Sequence, residues 1–597
     1  MSRKRALEMS ASALAQADVV GAGSINTGQM NTAIGDSASS EALERLKRAT
    51  QDMKNAENSK LLNRAIQAVH QQEFDKADKL ALKLLATDDR LGLAWHVLAI
   101  AREKKGDYAS SLRAYEAALA LLTDHGSVAG DLGRLALRIG MPELAVGFFA
   151  HFRLSRPNDL EAANNLASAL RELNRESEAI EVLKDAIATH PESPALWNTL
   201  GTVVCNTGDA AGSIVFFDEA LSMDPLYSKA LHNRAFAKSD MGDVEGALAD
   251  AIEAMKRPST PHDHAIMEFA YSTLLLALGR LEEGWKAYDA RFSRELTDAP
   301  MFYVAGTRWS GQDLNGKRLL LSAEQGLGDE VMLANLLADT KALLGPEGKL
   351  TLAVEPRLIP LFQRSYPDIE VTRHRTVSYE GRVWRTFPEI TDYSQFDYWA
   401  AMGDFLPSLR GAVEAFPDRR AFLTPDAERV AYWKAELENL GPTPKVGMLW
   451  KSANLTSERA RQFSAFEVWE PVLKTPGVTF VNLQYGDCEA EIAFAKEAFG
   501  IEIWQPPGID LKKDLDDVMA LCAAVDLVVG YSNATMNLAG AVGTPSFMLT
   551  GAASWTRLGT DYYPWYPSVR CFVTRQYGHW EEAMANMAGA LGEFVAQ

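Results

Sequence analysis

Cysteine is scarce: the 597 residues hold four, Cys205, Cys488, Cys522 and Cys571, all isolated. Such spacing builds neither a disulfide framework nor a zinc pattern, and it fits a reducing, cytoplasmic compartment. Basic charge is in the minority. Sixty Lys and Arg face 79 Asp and Glu, a formal net charge of −19, and no run of five or six basic residues occurs. A basic face able to hold nucleic acid is therefore not expected. Long apolar runs are also missing: no stretch reaches the about 18 uncharged residues of a membrane span. The amino-terminal residues lack the apolar core of a signal peptide. Aromatic residues are absent from the first 56 positions, which are rich in Ala, Ser, Gly, Asn and Thr. A segment of that kind buries too little apolar area to offset its ordering entropy. Residues 1–56 are read as a flexible polar tail and linker, with a helix starting near Ser39. Val19-Val20-Gly21-Ala22-Gly23 fails as a dinucleotide fingerprint, because Gly28 is wrongly spaced and no βαβ pattern follows. The remainder, with 47% hydrophobic and 9% aromatic residues overall, has a globular composition.

From residue 57 the chain repeats. Gly106, Gly140, Asn174, Gly208 and Gly242 fall 34 residues apart; so do Trp95, Ala129, Ala163, Trp197 and Leu231; so do Pro157, Pro191 and Pro225. Three ladders with one 34-residue period are the helix–turn–helix signature of tetratricopeptide repeats. The Gly or Asn sits where a first helix reverses into a second and a left-handed backbone is needed. The Pro follows the second helix, which it cannot continue. Ala163, Ala179 and Ala247 are small enough for close helix approach. Six to seven repeats are expected over 57–295, the last shifted by three residues through an insertion at 258–264. Such arrays present an extended surface for another protein. His262-Asp263-His264 in that insertion has no third metal ligand and is read as a polar loop.

After residue 300 the pattern changes to alternating strands and helices, which indicates α/β units with parallel sheets. Lys317-Arg318-Leu319-Leu320-Leu321-Ser322 and Lys349-Leu350-Thr351-Leu352-Ala353-Val354 are strands of a first half over 300–430. A second half over 440–597 has strands at 445–450, 478–483, 526–529 and 546–549. Residues 376–444 show many aromatics and no clear strand repeat.

Ligands of open parallel sheets bind beyond the carboxyl ends of strands, and four loops lie there. Glu324-Gln325-Gly326-Leu327-Gly328-Asp329-Glu330 offers close backbone approach. It also places Asp329 at a helix start, as cap or as catalytic base; Glu324 is the reserve base. Trp450-Lys451-Ser452 leads Lys451 into the presumed cleft, with Arg459 and Arg461 following as a possible phosphate clamp. Asn482-Leu483-Gln484-Tyr485-Gly486-Asp487 can flank a base or ribose through Gln484 and Tyr485. Gly530-Tyr531-Ser532-Asn533-Ala534-Thr535-Met536-Asn537 opens a helix and presents free N–H groups to an anion. Asp514-Leu515-Asp516 is read as a solvated helix start and not as a metal-binding pair. The aromatic stretch 562–566 is read as packing for the C-terminal helix.

These motifs, with Pro564-Trp565-Tyr566-Pro567-Ser568, resemble those of bacterial tetratricopeptide proteins that carry a C-terminal glycosyltransferase domain. That domain is similar to the lipopolysaccharide heptosyltransferases, of GT-B fold. Tail, array and transferase in that order resemble the flagellin-glycosyltransferase branch, the FlmG type. The resemblance implies an all-α tetratricopeptide solenoid followed by two Rossmann-like halves. It implies Asp329, after Gly328, as catalytic base, and Lys451 facing the donor phosphate. The donor would be held by Glu324, Gln325, Gly326, Gly328, Lys451, Ser452, Gln484, Tyr485, Ser532, Asn533, Ala534, Thr535 and Asn537. The family's Asp-Thr and His positions carry Ser532-Asn533 and Asn537 here, a departure, whereas Leu538-Ala539-Gly540-Ala541 and Gly543 match. No metal or cofactor is implied. The expected activity is inverting transfer of a nonulosonic acid, pseudaminic acid in type, from a CMP-sugar to flagellin Ser or Thr, needed for flagellar assembly and motility. Flagellin would dock on the array in the cytoplasm, with no nucleic acid or membrane involved. Alternatives are a UDP-sugar-dependent O-linked N-acetylglucosamine transferase and a scaffold or chaperone with an inactive transferase domain.

Overall fold

The computed structural model describes residues 56–596 apart from 259, 297–298, 380–381 and 453–461. The tail to residue 55, the start of a helix near Ser39, the glycine run at 21–28, and Arg459 and Arg461 lie outside the described residues.

Helices pair into hairpins from Ala56–His70 with Phe74–Thr87 through to Pro261–Ala277 with Leu281–Ala287, seven pairs among the described residues. The expected turn ladder is present: Gly106, Gly140, Asn174, Gly208 and Gly242 all have φ between 54° and 94°. Gln72, one period earlier, joins it at 57°, and the shifted Gly279 at 74°. Side chains close the next helix starts, as Asp107, Asp209 and Asp243 accept the N–H of Ser110, Gly212 and Gly246, satisfying orphan helix donors. Trp95 and Trp197 repeat one contact, each indole N–H donating to a carbonyl six residues earlier (2.8 Å). Residues 261–264 are not a loop. They form the first turn of Pro261–Ala277, where Thr260 caps Asp263 N–H and His262 bonds the Glu295 carbonyl.

By internal contacts the chain divides near residue 233, not 295: the last hairpins group with the strands. The reason is a shared core. Phe269, Leu276, Leu281, Trp285 and Tyr288 of the last hairpin bury in one cluster with Leu319, Leu321, Leu333 and Phe405.

Among the described residues the strand-bearing region holds three sheets. A small one joins β1 (Met301–Phe302), β6 (Arg382–Thr386) and β5 (Arg375–Tyr379). The first large sheet comprises β2 (Arg318–Ser322), β3 (Lys349–Val354), β4 (Glu370–Arg373) and β7 (Tyr398–Ala401), in the order β4-β3-β2-β7, all parallel. The second large sheet comprises β8 (Lys445–Leu449), β9 (Thr479–Asn482), β10 (Ile503–Trp504), β11 (Leu527–Tyr531), β12 (Ser546–Gly551) and β13 (Val569–Thr574). Its order is β10-β9-β8-β11-β12-β13, also all parallel. Each large sheet reverses direction of growth once, between β2 and β7 and between β8 and β11. Segment 376–444 does contain strands, together with helix Ala427–Glu438. That helix is tied to Leu515–Ala524 by Arg429 and the Trp433 indole, both on Asp517. Among the described residues no helix is long and apolar enough to cross a membrane.

Candidate functional site

The reversal point of a parallel sheet leaves a crevice, because the connections on its two sides leave in opposite directions. In the second sheet that crevice lies between the ends of β8 and β11, which lead into Trp450-Lys451-Ser452 and 532–537. In the first sheet it lies between the ends of β2 and β7, which lead into 324–330 and 402–405. The candidate loops after β2, β8 and β11 thus sit at reversal points. The one after β9 does not.

Two of these loops meet. A Cβ on Gly328 would come within 3.0 Å of Asn537 Nδ2 and 3.4 Å of Ala534 N. The short helix Leu327–Leu333 therefore meets the start of Ala534–Ala541, and any side chain at 328 would press on the Asn537 amide. Asn533 Oδ1 accepts Met536 N–H (3.0 Å). Asn537 donates to the Asn533 carbonyl (2.9 Å) and accepts the Tyr566 hydroxyl (2.8 Å). Ser532 is exposed, Asn533 and Ala534 half-buried, and Thr535 buried. At these loops the buried amide nitrogens Gln325 Nε2 and Asn533 Nδ2 have no hydrogen-bond partner among the described residues, an unusual state for buried donors. Gln325 also holds φ at 59°, a strained value for a residue other than glycine.

Asp329 is half-buried and acts as a cap, its Oδ2 accepting Gly326 N–H (3.0 Å). Its charge also reaches the second half. Burial is the main cause that raises the Tyr563 and Tyr566 hydroxyls, and the Asp329 carboxylate adds to it.

Other expected site residues have different work. Glu324 is fully buried, accepts from Arg291 (2.9 Å) and Gly403 N–H, and is a structural anchor in place of a reserve base. Gln484 is 1% exposed. Its Oε1 accepts the N–H groups of Trp450 and Lys451 (2.9 Å each), so it splints β8 to β9 and does not flank a base. Lys451 is ion-paired to Glu491, which lowers its pull on a phosphate. Tyr485 and Ser452 are half-buried. Asp514 precedes helix Leu515–Ala524 without capping it, and Asp516 is not solvated as expected but pairs with Arg364. Of the 562–566 aromatics Tyr563, Trp565 and Tyr566 do pack, but not on the C-terminal helix, and Tyr562 is exposed. Trp565 meets Phe416 edge-on, Tyr566 stacks on Phe422, and the Trp565 carbonyl takes the Asn335 amide (3.1 Å).

Below the β2 loop lies a buried group that sequence reading missed. Glu330 accepts from His374 (2.7 Å) and from Glu355 N–H (2.9 Å). Arg385 donates to the carbonyls of Ala323 and Gln325. These partners come from the residues just after β3 and β4 and from β6, with no spacing that would signal them.

On the array, first helices of successive hairpins are linked by buried polar side chains one period on. His96 meets Asp131 (2.5 Å), Thr199 donates to Asn164 (2.6 Å), and Asn233 donates to Asn198 (3.0 Å).

Hairpins of this period place the chain among tetratricopeptide-repeat proteins, and residues 160–203 match the tetratricopeptide repeat family. Proteins of this class generally bind other proteins. The chain is 70% identical over 596 residues to Protein FlbA of Caulobacter vibrioides, with 100% of both chains covered, and it belongs to the FlbA family. Solved structures with partial similarity include the APC/C hetero-tetramer Cut9–Hcn1. There identity is 16%, 39% of this chain and 47% of that chain are covered, and the TM-score is 0.32. PilW, a type IV pilus biogenesis factor, is 18% identical, with 35% and 97% covered and a TM-score of 0.31. YrrB, a TPR protein with an unusual peptide-binding site, is 19% identical, with 33% and 98% covered and a TM-score of 0.26.

Proposed function

We propose that the chain is a cytoplasmic protein O-glycosyltransferase whose two large sheets are the halves of a GT-B domain and whose repeats recruit flagellin. The observation that carries this reading is the meeting of Gly328 with the Ala534–Ala541 helix start. It brings a carboxylate beside a set of backbone donors. In the proposed step, the oxygen of an acceptor Ser or Thr hydroxyl attacks the anomeric carbon of a CMP-activated nonulosonate. Its proton passes to Asp329. The bond from that carbon to the CMP phosphate oxygen breaks, and the electron pair leaves with the phosphate. The Gly326 N–H bond orients the Asp329 carboxylate. Such a base contributes about 10²–10⁴-fold. The N–H groups at 533–535, with Ser532 and Thr535, would stabilise the departing phosphate, and the unpartnered Gln325 and Asn533 amides would donate to donor oxygens.

Intact-mass measurement of flagellin from cells with and without this protein tests the reading. Equal mass steps that vanish in the deletion are expected, and a nonulosonate step separates this donor from the smaller N-acetylhexosamine step of a UDP-sugar enzyme. Flagellin of unchanged mass would overturn it. A scaffold with an inactive transferase domain is the second reading. It is favoured by Ser532-Asn533 and Asn537 standing at the family's acid and histidine positions. Asp329→Asn keeps the cap and removes the base. Loss of modification with flagellin binding intact supports the enzyme, and no change in either supports the scaffold.

A further inference from the structure

The reversal point of the first large sheet, the usual place for a ligand's charge, is filled by a side chain from the repeat side. Arg291 lies in the turn Tyr288–Phe292 that follows the last hairpin, and it is 2% exposed. Its guanidinium sits 4.1 Å from the Phe292 ring centre and 4.8 Å from that of Tyr288. It donates from Nε to Glu324 Oε2 (2.9 Å), and from Nη2 to Glu324 Oε1 (3.3 Å) and Asp404 Oδ1 (2.7 Å). Glu324 follows β2 and Asp404 follows β7, so one fork clamps both lips of the crevice. Asp404 is held a second time by Arg308 (2.6 and 3.0 Å) and caps its own turn through Ala401 N–H (3.0 Å).

A buried ion pair is a poor device for stability, because an apolar pair of similar volume often does as well. What a bidentate fork supplies is geometry. Here the fixed residue is Glu324, directly before Gln325 at φ 59° and Gly326, whose N–H orients Asp329. We infer that Arg291 is a positioning residue: it holds Glu324 and Asp404 together so that 325–329 keep the one conformation that aims Asp329 and Gln325 into the site. This inference rests on the transferase reading for its effect on rate, but not for its effect on the loop.

The test is the double variant Arg291→Met with Glu324→Gln, made in the full chain. It leaves no buried uncompensated charge: Gln still accepts from Gly403, and Asp404 keeps Arg308. Two readouts are taken, hydrogen exchange of peptides covering 324–333 and the rate of sugar transfer to flagellin. Positioning requires faster exchange confined to that segment. It also requires a kcat lower by about 100-fold, the cost of a roughly 1 Å misplacement, with KM for flagellin unchanged. A folded double variant with wild-type exchange and wild-type kcat overturns the inference, because the pair is then only packing. If the double variant does not fold, Arg291→Lys, which keeps the charge and loses the fork, is read the same way. Wild-type exchange with wild-type kcat in that variant also overturns it. Wild-type protein that transfers no sugar sinks the transferase reading alone, since the exchange data still decide the positioning.

Discussion

The hairpins up to residue 233 and the region after it keep their buried polar groups in contrasting ways. In the hairpins, His96–Asp131, Asn164–Thr199 and Asn198–Asn233 each reach one repeat along the chain. In the second region, Arg291–Asp404 spans 113 residues, Arg364–Asp516 152 and Asn335–Trp565 230. Nearest-neighbour links let a structure loosen piece by piece. Links that tie distant strands together make the region fail as a whole. The same contrast divides the proposed labour: an adaptable surface recruits a partner, and a cross-tied crevice holds reacting groups in place.

The largest effect that sharpens this contrast should come from Arg291→Ala. It leaves the fully buried Glu324 without its cation, so we expect a loss of about 3–5 kcal/mol. Denaturant unfolding followed by exchange should show the strand-bearing region moving as one transition while residues 56–233 keep theirs. Graded loss within the strands would break the comparison. Next comes acid. Burial works against ionisation of Asp131, yet Arg134 and His96 outweigh it and hold the carboxyl down at about 2. A depressed folded value contributes stability that is complete above the unfolded value near 4 and is lost as pH falls towards 2. That contribution is about 2 kcal/mol, and Asp131→Asn should remove that part of the acid dependence, with exchange rising only in the hairpins beside it. An equal rise beyond residue 234 would count against local behaviour. The smallest effect is expected from Gly208→Ala. The position is open, with nothing within 4 Å of an added Cβ, but its φ is 94°. Backbone strain alone should cost about 1 kcal/mol, read as a small shift in thermal midpoint, whereas Asn at the same place should recover part of it.

How much could be read from the chain follows from the same contrast. A recurring period exposes Gly106, Gly140 and Asn174 as turns, and apolar runs expose β2, β3, β8, β9, β11 and β12. The strands β4, β7, β10 and β13 escape notice because they lie towards the sheet edges and carry charged or aromatic residues among few aliphatics. The turn at Gln72 hides because Gln has no preference for a left-handed backbone. At the site, Gly328 and the 532–537 helix start are visible as types of residue, since glycines and small polar residues at strand ends have local reasons to be there. Gln484, Lys451 and Glu324 mislead for one physical cause. A polar side chain at a strand end looks available until its partner is known, and the partners Trp450 N–H, Glu491 and Arg291 come from other elements. Arg291 itself has no local signal at all.

The placement of Arg291 and of the Phe269–Tyr288 core has a bearing on recombination. An exchange of repeat arrays at residue 295 would remove the guanidinium that bridges Glu324 and Asp404. An exchange upstream, at the turn before helix Ser228–Asp240 and near the division at residue 233, would keep it. The last hairpins should therefore be inherited with the strands, and partner choice should evolve in the residues before them.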